Sequence, residues 1–356
     1  MRSHRIASLA LIALAACGSP TGDGEPLQAQ PGATADAQVT QRASERVARW
    51  ETHRRSGAVM GTSMDLTLRL PSGQGLRAQA LLDAAEAELR RIQALMTTWE
   101  ASPMTVLNDA AGRGPVEVDP ELARLVARAV FLASESGGAF DPTWKALDGA
   151  WKFQSKDPVL PSQADLDPLL AHVDWRRVEV DLENNTVSLP EGFELGLGGI
   201  AKGYGVDRAM ALWLAEGVKH GIVDAGGDLK ALGTNDDGPW EIAIKHPRRR
   251  DEVLAVIPVS NACVVTSGDY ERFFEVDGQR YHHILDPRDG RPSRGAMSAT
   301  VLGPDAAASD ALATALCVLD PEEGLELIER SPRFEALIVD LDGEVHVSPG
   351  LAGAVR

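Results

Sequence analysis

The chain has too few basic residues for a nucleic-acid-binding protein. Its 356 residues include 35 Lys and Arg against 52 Asp and Glu, so the formal net charge is -17 at pH 7. Binding to DNA or RNA requires a concentrated basic surface that displaces counterions from the phosphates. We therefore expect no nucleic-acid partner. A phosphate-bearing ligand must be bound locally, by a metal ion or by backbone N–H groups.

Cysteine is also scarce, with three in the whole chain. Cys263 and Cys317 each lie within an apolar run. A disulfide between them is possible in an oxidising compartment, but the apolar surroundings favour two buried free thiols.

The only long apolar stretch with a membrane role is at the amino terminus. Arg2 and Arg5 precede the apolar residues 6–16, a run too short for a permanent transmembrane helix. Leu14-Ala-Ala-Cys17 resembles the bacterial lipobox, in which the cysteine is lipidated after cleavage. The alternative is an ordinary cleaved signal with an incidental cysteine.

We therefore predict a lipoprotein signal peptide over residues 1–17, with Cys17 as the lipidated residue. Residues 18–45 are rich in Gly, Pro, Gln, Ala, Ser and Thr and are predicted to form a flexible tether. The anchor would hold the protein on the periplasmic side of a bacterial membrane. An Asp directly after the lipidated cysteine would favour the inner membrane. This chain has Gly18 at that position, which slightly favours the outer membrane.

The remaining residues, 46–356, show mixed α and β patterns. Residues 64–70 alternate as a half-buried strand, and apolar residues recur at threes and fours over 78–98 as in an amphipathic helix. Further helices are predicted at 119–137, 203–219, 310–319 and 321–330, and strands at 177–180, 186–189, 221–224, 240–244, 253–259, 337–340 and 345–347. Hairpin turns between several strands favour antiparallel pairing. The predicted fold class is α+β, with mainly antiparallel sheets flanked by helices.

A glycine-rich segment, Gly198-Gly-Ile-Ala-Lys-Gly203, opens one predicted helix. Backbone amides and the Lys202 cation could face an anionic ligand there. The spacing fits neither a Walker loop nor a dinucleotide-binding fingerprint. A turn that is glycine-rich only for close packing is the alternative.

Asp310 and Thr314 are four residues apart on another predicted helix, which puts a carboxylate and a hydroxyl on one face. Both are hard oxygen ligands of the kind that Mg²⁺ takes. Helix capping by Asp310 and packing by Thr314 is the alternative.

Two more polar segments stand near strand ends: Ser267-Gly-Asp-Tyr270 and His282-His-Ile-Leu-Asp-Pro-Arg-Asp-Gly290. The imidazole of His283 could accept a proton near neutral pH. The alternative is that His283 is solvated or packed in the core, as lone histidines more often are.

Together with Gly137-Gly-Ala-Phe-Asp-Pro-Thr143 and Ser309-Asp-Ala-Leu-Ala-Thr314, these segments resemble the FAD:protein FMN transferase family, the ApbE-type flavin transferases. The resemblance runs from about Val59 to Leu319 and identifies 46–356 as the flavin transferase domain. It implies that His283 is the catalytic proton acceptor. Contacts to the FAD substrate are implied for Met60, Ala139, Phe140, Asp141, Lys202 and Ile284, and Mg²⁺ ligation for the Gly199 carbonyl, Asp310 and Thr314.

The implied activity is Mg²⁺-dependent transfer of FMN from FAD to a Thr or Ser hydroxyl of an acceptor protein, with release of AMP. The implied acceptor is a periplasmic flavoprotein such as a subunit of a redox-driven ion pump. A Mg²⁺-dependent FAD pyrophosphatase is one alternative, and a flavin-binding lipoprotein without catalysis is another. The chain departs from the family at Gly196 and Asp289, where Asp and Thr are usual.

Overall fold

An antiparallel sheet of eight strands is the centre of the computed structural model. The structure describes residues 49–153, 155, 158–249 and 251–353. The strands in these residues are β1 (Trp50–Val59), β2 (Thr62–Pro71), β3 (Val116–Glu117), β4 (Glu179–Asp181), β5 (Thr186–Ser188), β6 (His220–Ala225), β7 (Asp228–Leu232), β8 (Trp240–Lys245), β9 (Val253–Val259), β10 (Ala262–Gly268), β11 (Phe273–Val276), β12 (Gln279–His282), β13 (Ser298–Gly303), β14 (Glu335–Val339) and β15 (Val345–Val347).

The large sheet has the order β1-β2-β6-β7-β10-β13-β14-β15, and each neighbouring pair is antiparallel. Small antiparallel sheets are formed by β3-β5-β4, β8-β9 and β11-β12. The predicted α+β class with mainly antiparallel sheets is confirmed. The hairpins predicted across residues 177–189 and 337–347 are present as β4-β5 and β14-β15.

Helices supply the other part of the core. They are α1 (Gly75–Met96), α2 (Pro103–Asp109), α3 (Pro120–Glu135), α4 (Gln163–Leu170), α5 (Ala201–Ala215), α6 (Ala306–Val318) and α7 (Pro321–Glu329), with short 3-10 helices at Pro142–Leu147 and Trp175–Arg177. Along α1 the predicted apolar stripe is the buried face. At the start of α3, Asp119 accepts a hydrogen bond from the Glu121 N–H and Pro120 occupies the first turn, as expected for a helix start.

Helices α5 and α6 cap each other where they cross. Asp310 of α6 accepts from the Gly203 N–H at the start of α5, at 3.2 Å. Asp207 of α5 accepts from the Ala307 N–H at the start of α6, at 3.0 Å. Each carboxylate therefore satisfies a helix N–H that has no partner within its own helix. This exchange fixes the glycine-rich segment against the first turns of α6.

The sequence located most elements to within a few residues but missed others. Helix α6 begins at Ala306 rather than 310, and α5 ends at Ala215 rather than 219. The elements that were not predicted are strands β1, β3, β7, β11, β12 and β13 and helices α2 and α4. Cys263 and Cys317 are buried free thiols, which agrees with the favoured alternative.

The signal peptide, Cys17 and the tether predicted for residues 1–45 lie outside the described residues. Within the described part of the chain, no helix combines the length and apolar character needed to cross a membrane.

Gly203→Ala is expected to destabilise the fold by about 1–3 kcal/mol or more, because a Cβ there would overlap the backbone of α6. That atom would lie 2.1 Å from the Ala306 carbonyl oxygen and 2.5 Å from its carbon. Gly75→Ala is the matched helix control, since no atom lies within 4 Å of a Cβ added there. Urea titration of both variants measures the effect. Equal midpoints for the two variants would contradict the close helix contact.

Candidate active site

One cleft brings together all ten of the predicted site residues that the structure describes. It has a volume of about 990 Å³, at the upper end of ligand pockets, which suits a dinucleotide. The predicted residues that line it are Met60, Ala139, Phe140, Asp141, Gly199, Lys202, His283, Ile284, Asp310 and Thr314. Their individual roles stay predictions; their convergence is a property of the fold.

Asp310 lies at the centre of a cluster of charged residues in the cleft. Its side chain is 1% exposed. One carboxylate oxygen lies 3.0 Å from the Lys202 ammonium, and the other accepts the Gly203 N–H. Lys202 and Gly203 are in the first turn of α5, where the helix dipole favours negative charge. The cleft therefore places a buried carboxylate, an ammonium and a helix amino terminus at one point.

Asp228, at the start of β7, was not among the predicted site residues but belongs to this cluster. Its Oδ2 lies 3.0 Å from the Lys202 ammonium, and its Oδ1 is buried without a partner among the described residues. Burial and the adjacent Asp310 raise the pKa of Asp228 well above its usual range. Burial lowers the pKa of Lys202, but the attraction of the two carboxylates is larger and raises it. The lysine is therefore a fixed cation.

Further oxygen atoms lie beside this cluster. Thr314 Oγ1 is 3.4 Å from Ser267 Oγ. A Cβ added at Gly199 would lie 3.2 Å from Thr314 Oγ1, so the Gly199 backbone closely approaches that hydroxyl. Carboxylate, hydroxyl and carbonyl oxygens are the ligands that Mg²⁺ prefers. This donor set fits a magnesium ion.

His283 follows β12 and lines the same cleft. Its backbone N–H donates to the Arg272 carbonyl at 3.0 Å, while its Nδ1 has no partner among the described residues. Burial, with smaller contributions from His282 and Arg272, lowers the pKa of His283 to about 4. The imidazole is therefore neutral at pH 7 and can accept a proton.

Met60 is at the tip of the β1-β2 hairpin, in the left-handed backbone region with φ of 52°. Gly61 has φ of 72°, so both turn residues have the positive φ that a two-residue hairpin favours. The Met60 N–H donates to Gln93 Oε1 at 2.6 Å. This hydrogen bond holds an unusual methionine conformation at the edge of the cleft.

Phe140 and Asp141 form another part of the wall. The Phe140 ring packs against Gly199, where an added Cβ would be 3.2 Å from it. Asp141 accepts from the Thr143 N–H at 2.8 Å, the Thr143 hydroxyl at 2.6 Å and the Trp175 N–H at 3.1 Å. These hydrogen bonds cap a 3-10 helix, so most of the acceptor capacity of Asp141 is used within the protein.

Trp144 explains how the fold accommodates Gly196. The indole N–H donates to the Gly196 carbonyl at 2.9 Å, and a Cβ at this position would lie 3.1 Å from the ring. The indole thus fills the space of a side chain at 196. Asp289, the second departure from the family, is an exposed turn residue that accepts the Arg291 N–H at 2.8 Å and does not line the cleft.

Comparisons with known proteins agree with this geometry. The sequence model of the ApbE family matches residues 60–338. An FAD:protein FMN transferase of Treponema pallidum (strain Nichols) is 36% identical over 279 residues, which are 74% of this chain and 77% of that protein.

Two crystal structures share the fold. The ApbE protein of Thermotoga maritima has a TM-score of 0.79 and 35% identity, covering 86% of this chain and 100% of that one. The apo flavinyl transferase ApbE of Pseudomonas stutzeri has a TM-score of 0.76 and 29% identity, covering 86% and 98% of the two chains.

Proposed function

The chain belongs to the ApbE family, and we propose that its cleft transfers FMN from FAD to a Thr or Ser hydroxyl of an acceptor protein, in a Mg²⁺-dependent reaction that releases AMP. The coarser activity follows from the relatives: the chain is an FAD:protein FMN transferase. The dependence on Mg²⁺, the Thr or Ser hydroxyl of the acceptor and the release of AMP are the parts of the reaction that we propose.

The observation that carries the proposal is the placement of Asp310 and Lys202 at the amino terminus of α5, inside a cleft large enough for a dinucleotide. A pyrophosphate is polyanionic, and splitting it places further negative charge on the bridging oxygen. The ammonium and the first N–H groups of α5 are positioned to stabilise that charge.

Asp310, Thr314 and the Gly199 carbonyl would hold the metal ion, which when bound supplies positive charge beside the phosphate oxygens. Asp228 supports this arrangement through a second ion pair with the Lys202 ammonium, at 3.0 Å. Two carboxylates surround the single Lys202 cation, and a metal ion bound beside Asp310 would favour the ionised form of both.

The acceptor hydroxyl must lose a proton as it attacks phosphorus. We assign that proton to the imidazole of His283, which lines the cleft and is neutral at pH 7 because burial lowers its pKa to about 4. Ile284, 6% exposed, and Phe140, 3% exposed, add apolar surface to the same cleft. Apolar walls help to exclude water, which would otherwise compete with the hydroxyl and make the enzyme a pyrophosphatase.

The proposal is tested by incubating the protein with FAD, Mg²⁺ and a candidate periplasmic acceptor, and measuring the acceptor by mass spectrometry. We expect a covalent FMN adduct on a Thr or Ser and an equal amount of AMP. FMN and AMP in solution with no adduct would support the hydrolase alternative. FAD that survives the incubation intact would support the non-catalytic alternative.

We further propose that the enzyme works on the periplasmic side of a bacterial membrane, held there by lipid on Cys17. The support is in the sequence: the short apolar run, the lipobox-like Leu14-Ala-Ala-Cys17 and the tether that follows. The acceptor would then be a flavoprotein exposed to the same compartment, such as a subunit of a redox-driven ion pump.

Cys17→Ser should release the protein from membranes, because it removes the residue that carries the acyl chains. Membrane fractionation of cells producing the parent and the variant measures this. The Cys263→Ser variant is the matched control, since Cys263 is buried in the folded domain. A Cys17→Ser protein that still sediments with membranes at high salt would contradict the lipid anchor.

A further inference from the structure

The chain leading into α5 follows one wall of the cleft, and Gly196, Gly199 and Lys202 all line it. Lys202 forms ion pairs with two buried carboxylates. A Cβ added at Gly199 would lie 3.2 Å from the Phe140 ring, and one added at Gly196 would lie 3.1 Å from the Trp144 indole. This wall therefore passes from charged groups at Lys202 to aromatic rings at Gly199 and Gly196.

Trp144 is held in a fixed position on this wall. It belongs to the 3-10 helix Pro142–Leu147, and its indole N–H donates to the Gly196 carbonyl at 2.9 Å. In return, the Gly196 N–H donates to the Pro142 carbonyl at 2.8 Å. The indole is half-buried and lines the cleft, so part of a fixed aromatic ring is open to a ligand.

The polar groups closest to Trp144 along the chain are already used within the protein. Asp141 accepts hydrogen bonds from Thr143 and from the Trp175 N–H, and Asp148 forms an ion pair with Lys145. The indole N–H and the Gly196 N–H both have backbone acceptors. What this part of the wall offers to a ligand is therefore mainly aromatic surface.

An aromatic surface and a carboxylate recognise a heterocyclic ring in different ways. Stacking depends on the face of the ring, which every nucleobase and flavin has, so it tolerates changes in the groups on the ring edge. A carboxylate at position 196, where Asp is usual in the family, would accept hydrogen bonds from N–H donors on that edge. Gly196 has no side chain that can do so.

We propose that Trp144 determines the substrate specificity of this enzyme, because it binds one heterocyclic ring of the flavin dinucleotide by stacking and leaves the edge of that ring unread. This rests on the proposed function, which puts the pyrophosphate at Lys202 and so directs one ring along the wall toward Trp144. The enzyme then accepts dinucleotides whose ring differs from that of FAD only in its edge groups. Adenine and isoalloxazine share this chemistry, and the experiment distinguishes between them.

The first measurement is FAD affinity, followed by the quenching of flavin fluorescence with EDTA present so that no metal-dependent turnover occurs. Trp144→Ala should weaken FAD binding by about 10 to 100-fold, the effect of removing one stacking ring. Trp144→Phe keeps a ring but loses the indole N–H, and it should bind FAD within about threefold of the parent.

Trp240→Ala is the matched control. Trp240 is also half-buried, and its indole N–H also donates to a backbone carbonyl, that of Leu232 at 3.0 Å, but it does not line the cleft. This variant should bind FAD as the parent does. Urea titration of each variant establishes that the protein compared is folded.

The second measurement uses two analogues of FAD, each of which lacks an N–H donor of one ring. One has hypoxanthine in place of adenine, and the other has a methyl group on flavin N3. The parent should bind both within about threefold of FAD. In the exchange variant Trp144→Ala/Gly196→Asp, the new carboxylate can accept from a ring edge, so one analogue should bind about tenfold more weakly than FAD. The analogue that loses affinity identifies the ring.

The proposal is wrong if folded Trp144→Ala binds FAD as tightly as the parent, or if the parent discriminates against either analogue. It is also wrong if the exchange variant binds all three ligands equally, because the ring then does not lie at residue 196. None of these measurements depends on FMN transfer. A parent protein that binds FAD but transfers FMN to no acceptor would contradict the proposed function, and the affinities would still decide the role of Trp144.

Discussion

Asp310→Asn lowers FMN transfer by about 10³-fold, the effect expected when several kcal/mol of charge stabilisation are lost from the transition state. The amide is neutral and is a poor ligand for Mg²⁺. Its carbonyl oxygen can still accept a hydrogen bond from Lys202 or Gly203, so the loss falls mainly on chemistry. Transfer measured at saturating FAD over a range of Mg²⁺ concentrations checks this, and partial recovery at high Mg²⁺ is expected.

Asn is preferable to Ala here because the side chain of Asp310 is only 1% exposed. Alanine would leave the Gly203 N–H and one side of Lys202 without a partner, so an unfolded protein could mimic an inactive one.

Asp207→Asn is the matched control. Asp207 also accepts a helix N–H, from Ala307 at 3.0 Å, and binds a lysine, Lys230, but it does not line the cleft. Both variants should lower the melting temperature, and only Asp310→Asn should lower transfer by about 10³-fold. Undiminished transfer in Asp310→Asn at every Mg²⁺ concentration would remove Asp310 from the metal site.

The sequence predicted those parts of the site whose residues lie close together along the chain. Asp310 and Thr314 share a face of α6 because they are four residues apart, and both line the cleft. The glycine-rich segment does open a helix, α5. The family resemblance then placed distant segments together that no local pattern connects.

Asp228 could not be assigned in this way, because its proximity to Lys202 depends on sheet register. Asp228 begins β7, which pairs with β6 and β10, and only that pairing brings it to the start of α5. Nothing in the sequence around residue 228 specifies these partners. Its preceding Gly-Gly pair predicts a turn, which is correct but incomplete.

Strand β1 was missed for a different reason. Its residues, Trp50–Val59, are mostly polar, and most of them are exposed. As an edge strand it is specified by hydrogen bonds to β2, not by an apolar face of its own. Strand β1 matters for the site because the β1-β2 turn carries Met60 into the cleft.

His283→Asn is expected to lower FMN transfer by about 10² to 10⁴-fold, the range for loss of a positioned general base. Asparagine preserves part of the shape and a hydrogen-bonding group but cannot accept a proton at neutral pH. Binding of FAD should therefore change little. His220→Asn is the control, since His220 is also partly buried, with burial lowering its pKa, but lies outside the cleft.

The pH profile of the parent enzyme gives a second, independent measure of the same role. Because burial depresses the pKa of His283 to about 4, the imidazole stays neutral and able to accept a proton as the pH falls through 6.5. Transfer governed by this base should be retained at pH 6 and lost only as the pH falls to about 4.

A His283→Asn protein that transfers FMN within a few-fold of the parent, at saturating FAD and acceptor, would exclude the base role. A parallel loss of FAD affinity would instead place His283 among the residues that bind the cofactor.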